Sequence, residues 1–139
     1  MVAARYENYL RERTKGVKHS GRDFYGHLKG THDLLRDWGN PEPICLAGLF
    51  HSIYGTSFFK HRILNPDQPW ELTGLIGLEA EHLVYLFCVT NRETFTDPRL
   101  LEIEAANLVE QGGIPPATRR RLLNSDISPA AKLALEWRR

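Results

Sequence analysis

The sequence predicts an all-α fold: a compact single-domain helical bundle of seven or eight helices over residues 1–139. Three observations lead there. Residues 22–38 carry His27, Thr31, Leu34, Leu35 and Trp38 at spacings of three and four, the period of an amphipathic helix. Two later runs, 43–54 and 78–90, are apolar almost all the way round, as helices buried on most sides are. Gly39, Pro41 and the pair Gly112-Gly113 stand where helices should stop.

Residues 2–14, rich in Arg and Glu, read as a surface helix that Gly16 ends. The 22–38 helix comes next and stops at Gly39. Residues 43–54 form the second buried helix, and the short turn before it makes the two helices antiparallel neighbours. Ala47 and Gly48 argue against a buried strand there. Gly55 to Pro69 is a longer connection holding Phe58, Phe59 and His61, of a length often used for function. A short helix over 70–76 and the apolar helix over 78–90 follow. Asp97 is a suitable N-cap and Pro98 a suitable first residue for a helix to about Gln111. Two short helices, near 116–123 and 129–138, close the chain, the last opened by Ser128-Pro129. No segment reads as a strand.

With 42% hydrophobic and 25% charged residues, the composition is that of a globular domain. The 18 basic and 17 acidic residues nearly cancel, which gives no reason to invoke nucleic acid or an anionic membrane. Arg119-Arg120-Arg121 reads as a solvated helix face. The N-terminus lacks the apolar stretch of a signal peptide, and no run is long enough to cross a bilayer. Cys45 and Cys88 lie in apolar segments without metal-ligand spacing, so they read as reduced core residues of a cytoplasmic protein. The oligomeric state stays open.

The six histidines are the candidates for chemistry. His27 and His51 each sit on the inward side of one of two neighbouring antiparallel helices. Gly26 and Gly30 smooth one contact face, and Ala47 and Gly48 smooth the other. A buried imidazole needs partners for both ring nitrogens. Two converging imidazoles are also the beginning of a metal site. His19 can fold over the open side, and His61 can reach back from its loop. His32, flanked by Lys29 and Arg36, reads as exposed, and His82 as a satisfied histidine on a packed helix. No phosphate loop, nucleophile elbow or His-Glu-x-x-His is present.

His27, then His51-Ser52 at the end of Leu46-Ala47-Gly48-Leu49-Phe50, resembles the HD-domain superfamily, which places a His-Asp pair at the end of such a helix. The stretch from Ile76-Gly77-Leu78 to Val89-Thr90, and Glu102-Ile103-Glu104-Ala105-Ala106-Asn107-Leu108, are similar to motifs of the small alarmone (guanosine tetraphosphate) hydrolases. More narrowly, His19-Ser20-Gly21-Arg22, Trp38-Gly39-Asn40-Pro41 and Ala47 through Thr56 resemble a family of small bacterial HD-like proteins with no settled activity. The superfamily's aspartates hold a metal and polarise water. Here Ser52 replaces the paired aspartate, Gly55-Thr56 replaces a Glu-Asp pair, and the distal aspartate falls on Ile103. These departures argue against phosphohydrolase chemistry.

What the resemblance implies is therefore an HD-like enzyme acting on a small molecule from a histidine-lined core. In one form His27, His51 and Glu104 hold a divalent ion, with Asn107, His19 or His61 in support. Two histidines and a carboxylate suit iron(II) or manganese. In a second form no metal binds and His27 and His51 act as acid, base or hydrogen-bonding groups. His19, Ser52, Tyr54 and Thr56 join them, and Arg92 and Asn107 bind the small molecule. A third reading is a catalytically silent HD fold that binds a ligand or a protein.

Overall fold

The computed structural model describes residues 2–16, 18–19, 22–55 and 62–136. Among them are eight α-helices: α1 (Ala4–Arg13), α2 (Phe24–Asp37), α3 (Glu42–Leu49), α4 (Trp70–Ile76), α5 (Leu78–Val89), α6 (Pro98–Gln111), α7 (Pro116–Leu123) and α8 (Pro129–Glu136). A 3₁₀ turn (Arg92–Thr94) links α5 to α6. The all-α bundle expected from the sequence is what the chain forms. One departure is a two-residue antiparallel ladder, β1 (Lys18–His19) with β2 (Arg22–Asp23), just before α2. Two residues a side are too few to give a period-2 pattern, so no strand signal exists to read.

The helix ends follow local chemistry. The Asp23 carboxylate accepts from the Gly26 N–H and starts α2. Asp97 accepts from the Arg99 N–H, and Pro98 occupies the first turn of α6, as its sequence predicts. Gly39, at φ +88°, lets the chain turn sharply out of α2. The 43–54 helix is shorter than predicted. It ends at Leu49, and 50–54 continue as tight turns, with Ile53 N–H bonding Phe50 O and Gly55 N–H bonding Ser52 O. Their apolar side chains are buried all the same: Phe50 is 0% and Ile53 2% exposed, so the burial pattern alone could not mark where helix gives way to turn.

Helix α2 packs most extensively on α3 and α6; α3 also meets α5, and α6 meets α8. A Cβ at Gly48 would overlap Leu35 Cδ1 and touch Thr31 Cγ2, so the missing side chain is what brings α2 and α3 together. Leu35, Leu49, Phe50, Leu83 and Ile103 fill the space between these helices. Buried Glu102 of α6 ties distant parts together. It accepts from Ser128 N–H at 2.9 Å and Ser128 O–H at 2.6 Å ahead of α8, and from Asn40 Nδ2 at 3.0 Å in the α2–α3 turn. No helix among the described residues is long and apolar enough to cross a membrane.

Candidate functional site

Helices α2, α3 and α6 meet around His27. The ring is fully buried. Its Nδ1 lies 2.5 Å from Glu110 Oε1, and its Nε2 lies 2.8 Å from Asn107 Oδ1. Asn107 and Glu110 are three residues apart on α6 and therefore share the face turned to α2. A carboxylate only accepts, so Nδ1 carries the proton of that bond. The other nitrogen donates if the Asn107 oxygen faces it, and accepts if the amide is turned round. Gly30, one turn after Gly26, makes room for the acid: a Cβ there would stand 2.7 Å from Glu110 Cγ.

The second imidazole stands beside the first. The His27 and His51 rings are 5.3 Å apart at 79°, an edge-on contact. His51 follows α3 by two residues, and its Nδ1 bonds the Gly48 carbonyl at 2.7 Å. A carbonyl accepts, so Nδ1 holds a proton and the neutral ring keeps its lone pair on Nε2. The other face of His51 meets the Phe87 ring at 5.3 Å, and the His51 carbonyl accepts from the Cys88 thiol at 3.0 Å. Burial pushes that thiol up to about 12, so it is a hydrogen-bonding group and not a nucleophile. Cys45 is free and buried and is shifted the same way.

The other predicted residues divide. Ser52 is buried in the turn after His51. Tyr54, in the same turn, donates to Glu81 Oε2 at 2.9 Å; burial, then this bond, raises its hydroxyl far above the ordinary range. Arg92 is half-buried with its guanidinium 4.7 Å above the Phe87 ring, and burial lowers its affinity for the proton. Glu104 is buried and paired with Arg121 at 3.3 Å; burial raises its pKa, and Arg121 works against that rise. Residues Thr56, Phe58, Phe59 and His61 lie outside the described residues, as does the side chain of His19.

Two histidine expectations need correction. His32, expected on the surface, is 4% exposed and bonds Asp33 through Nδ1 at 2.9 Å. Its charged sequence neighbours mislead because His32 stands four residues after Leu28 and seven after Tyr25, on a second buried face of α2 with them. His82 is exposed on α5, not packed. Arg121 also departs from a solvated face, since its head turns inward to Glu104 while Arg120 stays outside.

The donor geometry does not present His27, His51 and Glu104 together to an ion. Protein oxygens face both nitrogens of His27, and Arg121 holds Glu104. Among the described residues, no three His, Cys, Asp or Glu side chains gather closely enough to hold a metal. The arrangement does supply a carboxylate-oriented imidazole beside a second imidazole. Glu110, which completes it, is absent from the sequence-level candidates. Its one signal is the three-residue spacing from Asn107.

A family model matches residues 9–92, more than half of the chain. The protein belongs to the DUF6817 family, a domain of unknown function. No curated protein and no solved structure matches it. The DUF6817 segment runs from α1 to the start of the 3₁₀ turn and includes His27, His51, Ser52, Tyr54 and Arg92. Asn107 and Glu110, the partners of His27, come from α6 beyond that segment.

Proposed function

We propose that this DUF6817 protein is an HD-like enzyme that moves a proton on a small molecule without a metal, with Glu110 and His27 as its acid–base pair. The observation that carries the reading is the His27 Nδ1–Glu110 contact at 2.5 Å inside the bundle. A carboxylate on one imidazole nitrogen fixes the ring's tautomer and orientation and stabilises the ring when the other nitrogen takes a proton. Nε2 is then the atom that exchanges protons, with Asn107 holding its place until a substrate atom displaces the amide. His51 is the second imidazole within reach. A cytoplasmic setting goes with this reading, supported by the free thiols of Cys45 and Cys88.

The HD-like part of the proposal is supported by topology. One histidine lies on α2, a second lies twenty-four residues on, past α3, and α6 supplies the polar groups facing them. A metal-bound form is the competing enzyme reading and needs ligands other than the set above.

A silent module is favoured by one observation: His27 and His51 are 0% and 1% exposed. A network that only locks three helices together would be enclosed in the same way. The experiment that separates these readings is turnover of a small-molecule extract, followed by mass spectrometry, with chelator present. The acid–base reading expects compounds consumed by the native protein and spared by His27→Gln and Glu110→Gln. Activity lost to chelator and restored by iron(II) or manganese would move the site to metal chemistry. No turnover under any condition, with both variants folded, would leave the silent module.

A further inference from the structure

Helix α5 differs on its two sides. The inner side carries Phe87 and Cys88, which meet the His51 ring and the His51 carbonyl. The outer side is open. Of the five large apolar side chains exposed among the described residues, three stand there: Leu78 is 73%, Tyr85 37% and Val89 53% exposed. His82 is exposed between them. The other two, Trp70 and Leu133, belong to α4 and α8. Residues 78, 82, 85 and 89 follow one another in steps of four, three and four, so they form one line along the helix.

A lone exposed apolar residue is ordinary, but a line of them is not. A surface helix normally turns charged residues outward. This line holds no acid and no Lys or Arg. Glu79 stands beside it, paired with Arg99 at 3.6 Å, and Glu81 is buried with Tyr54. The apolar run 78–90 reads as a helix enclosed on most sides, yet within one chain this side stays uncovered.

The spacing points to the partner. A two-fold contact brings the same face of both copies together. Steps of four, three and four read the same in either direction. An antiparallel copy of α5 therefore sets Leu78 against Val89 of the second copy, and His82 against Tyr85 of the second copy. The outer pairs are apolar, and in the middle a Tyr85 hydroxyl can donate to a neutral imidazole. Alternating steps of four and three also make the seam of helices packed at a shallow angle. Charge agrees, because the antiparallel arrangement keeps the two Glu79 carboxylates at opposite ends and sets each helix start beside a helix end. A parallel pair would bring the like charges side by side. Roughly 400 Å² of the line is open on each copy, a size at which apolar patches are often functional. Two copies bury about 800 Å², the scale of a weak, reversible dimer.

We propose that the outer face of α5 is the interface of a symmetric dimer, with an antiparallel α5 of a second copy of this chain as its occupant. The dimer does not depend on the acid–base reading.

The test is sedimentation equilibrium of the full chain up to about 1 mM. The expected result is a mass that rises from one chain toward two, with a dissociation constant between about 10 μM and 1 mM. Leu78→Glu and Val89→Lys should each weaken association at least about tenfold, because each buries a charge against an apolar partner. Both charges suit the ends of the helix at which they stand, so circular dichroism should show α5 intact. An equal mixture of these two variants should associate at least about threefold more tightly than either alone, since the new acid of one copy then faces the new base of the other. Leu133→Lys, exposed on α8, should leave association unchanged. A chain that stays single at about 1 mM overturns the dimer and leaves the face to a different protein. A dimer that neither α5 variant weakens overturns it by placing the interface elsewhere, and a mixture no tighter than its components overturns the antiparallel pairing.

Discussion

Glu102 and Glu110 stand on the same helix, α6, and each sends a carboxylate toward distant segments. Glu102 meets a backbone N–H, a hydroxyl and an amide. Glu110 meets an imidazole. None of the donors around Glu102 changes protonation near neutral pH, so that network can only hold α6, α8 and the α2–α3 turn in place. The donor at Glu110 can take up and give away a proton. A buried and a partly buried carboxylate of one helix are thus told apart chiefly by the chemistry of their partners: both residues would pass as polar groups satisfied in a core.

The largest effect should come at Glu102. Its replacement by leucine strands three donors in a buried place and should cost about 3–5 kcal/mol in urea unfolding. Glu110→Gln should cost only about 1 kcal/mol, because its side chain keeps some solvent and the amide can still bond the ring. Equal losses at the two sites would break the contrast and make the His27 cluster a second structural clamp.

Gly48→Ala comes next. The new methyl group meets Leu35, which is itself fully buried, so α2 and α3 must separate at a cost of about 2 kcal/mol. The same separation should weaken the edge contact between His27 and His51, visible as shifted ring signals.

Asp97→Ala removes an N-cap from α6 and should cost about 1 kcal/mol at neutral pH. The hydrogen bond from Arg99 is the largest cause holding the Asp97 carboxyl below its ordinary value. Its contribution is therefore present above the unfolded-state pKa of about 3.9 and fades as pH falls through the lower folded value. The gap between native protein and variant should narrow below about pH 4, and a gap that stays constant would mean the cap does not depend on charge.

Gly30→Ala sharpens the comparison most finely. Alanine gains about 1 kcal/mol of helix propensity, and displacing the Glu110 side chain takes back a similar amount. Net stability should hardly change, while the His27 signals move. An unmoved His27 would show that Gly30 does not position the acid.

The elements were legible because their signals are local. The 3.6-residue period of α2, the Asp97-Pro98 start of α6, and the glycines after α2 and α6 each act within a few residues, and each falls where the sequence puts it. The end of α3 was not legible, because Phe50 and Ile53 remain buried after the helix stops. The site was legible in half. His27 and His51 stand out as polar residues in apolar runs, and Asn107 through the family resemblance. Glu110, Cys88, Arg121 and the buried His32 carry no such mark; each looks in sequence like an ordinary core or surface residue.

By itself, the sequence determined which segments become helices, where most of them stop, and which two histidines must enter the core. Periodicity, caps and the cost of exposing apolar surface act on neighbouring residues and can be read in order. The tertiary structure alone decided what those histidines meet. Hydrogen-bond partners are chosen by which helix faces come together, and His27 finds Glu110 across eighty-three positions of chain because α6 packs on α2. The same packing pairs Glu104 with Arg121, a partner that no local pattern of the sequence names.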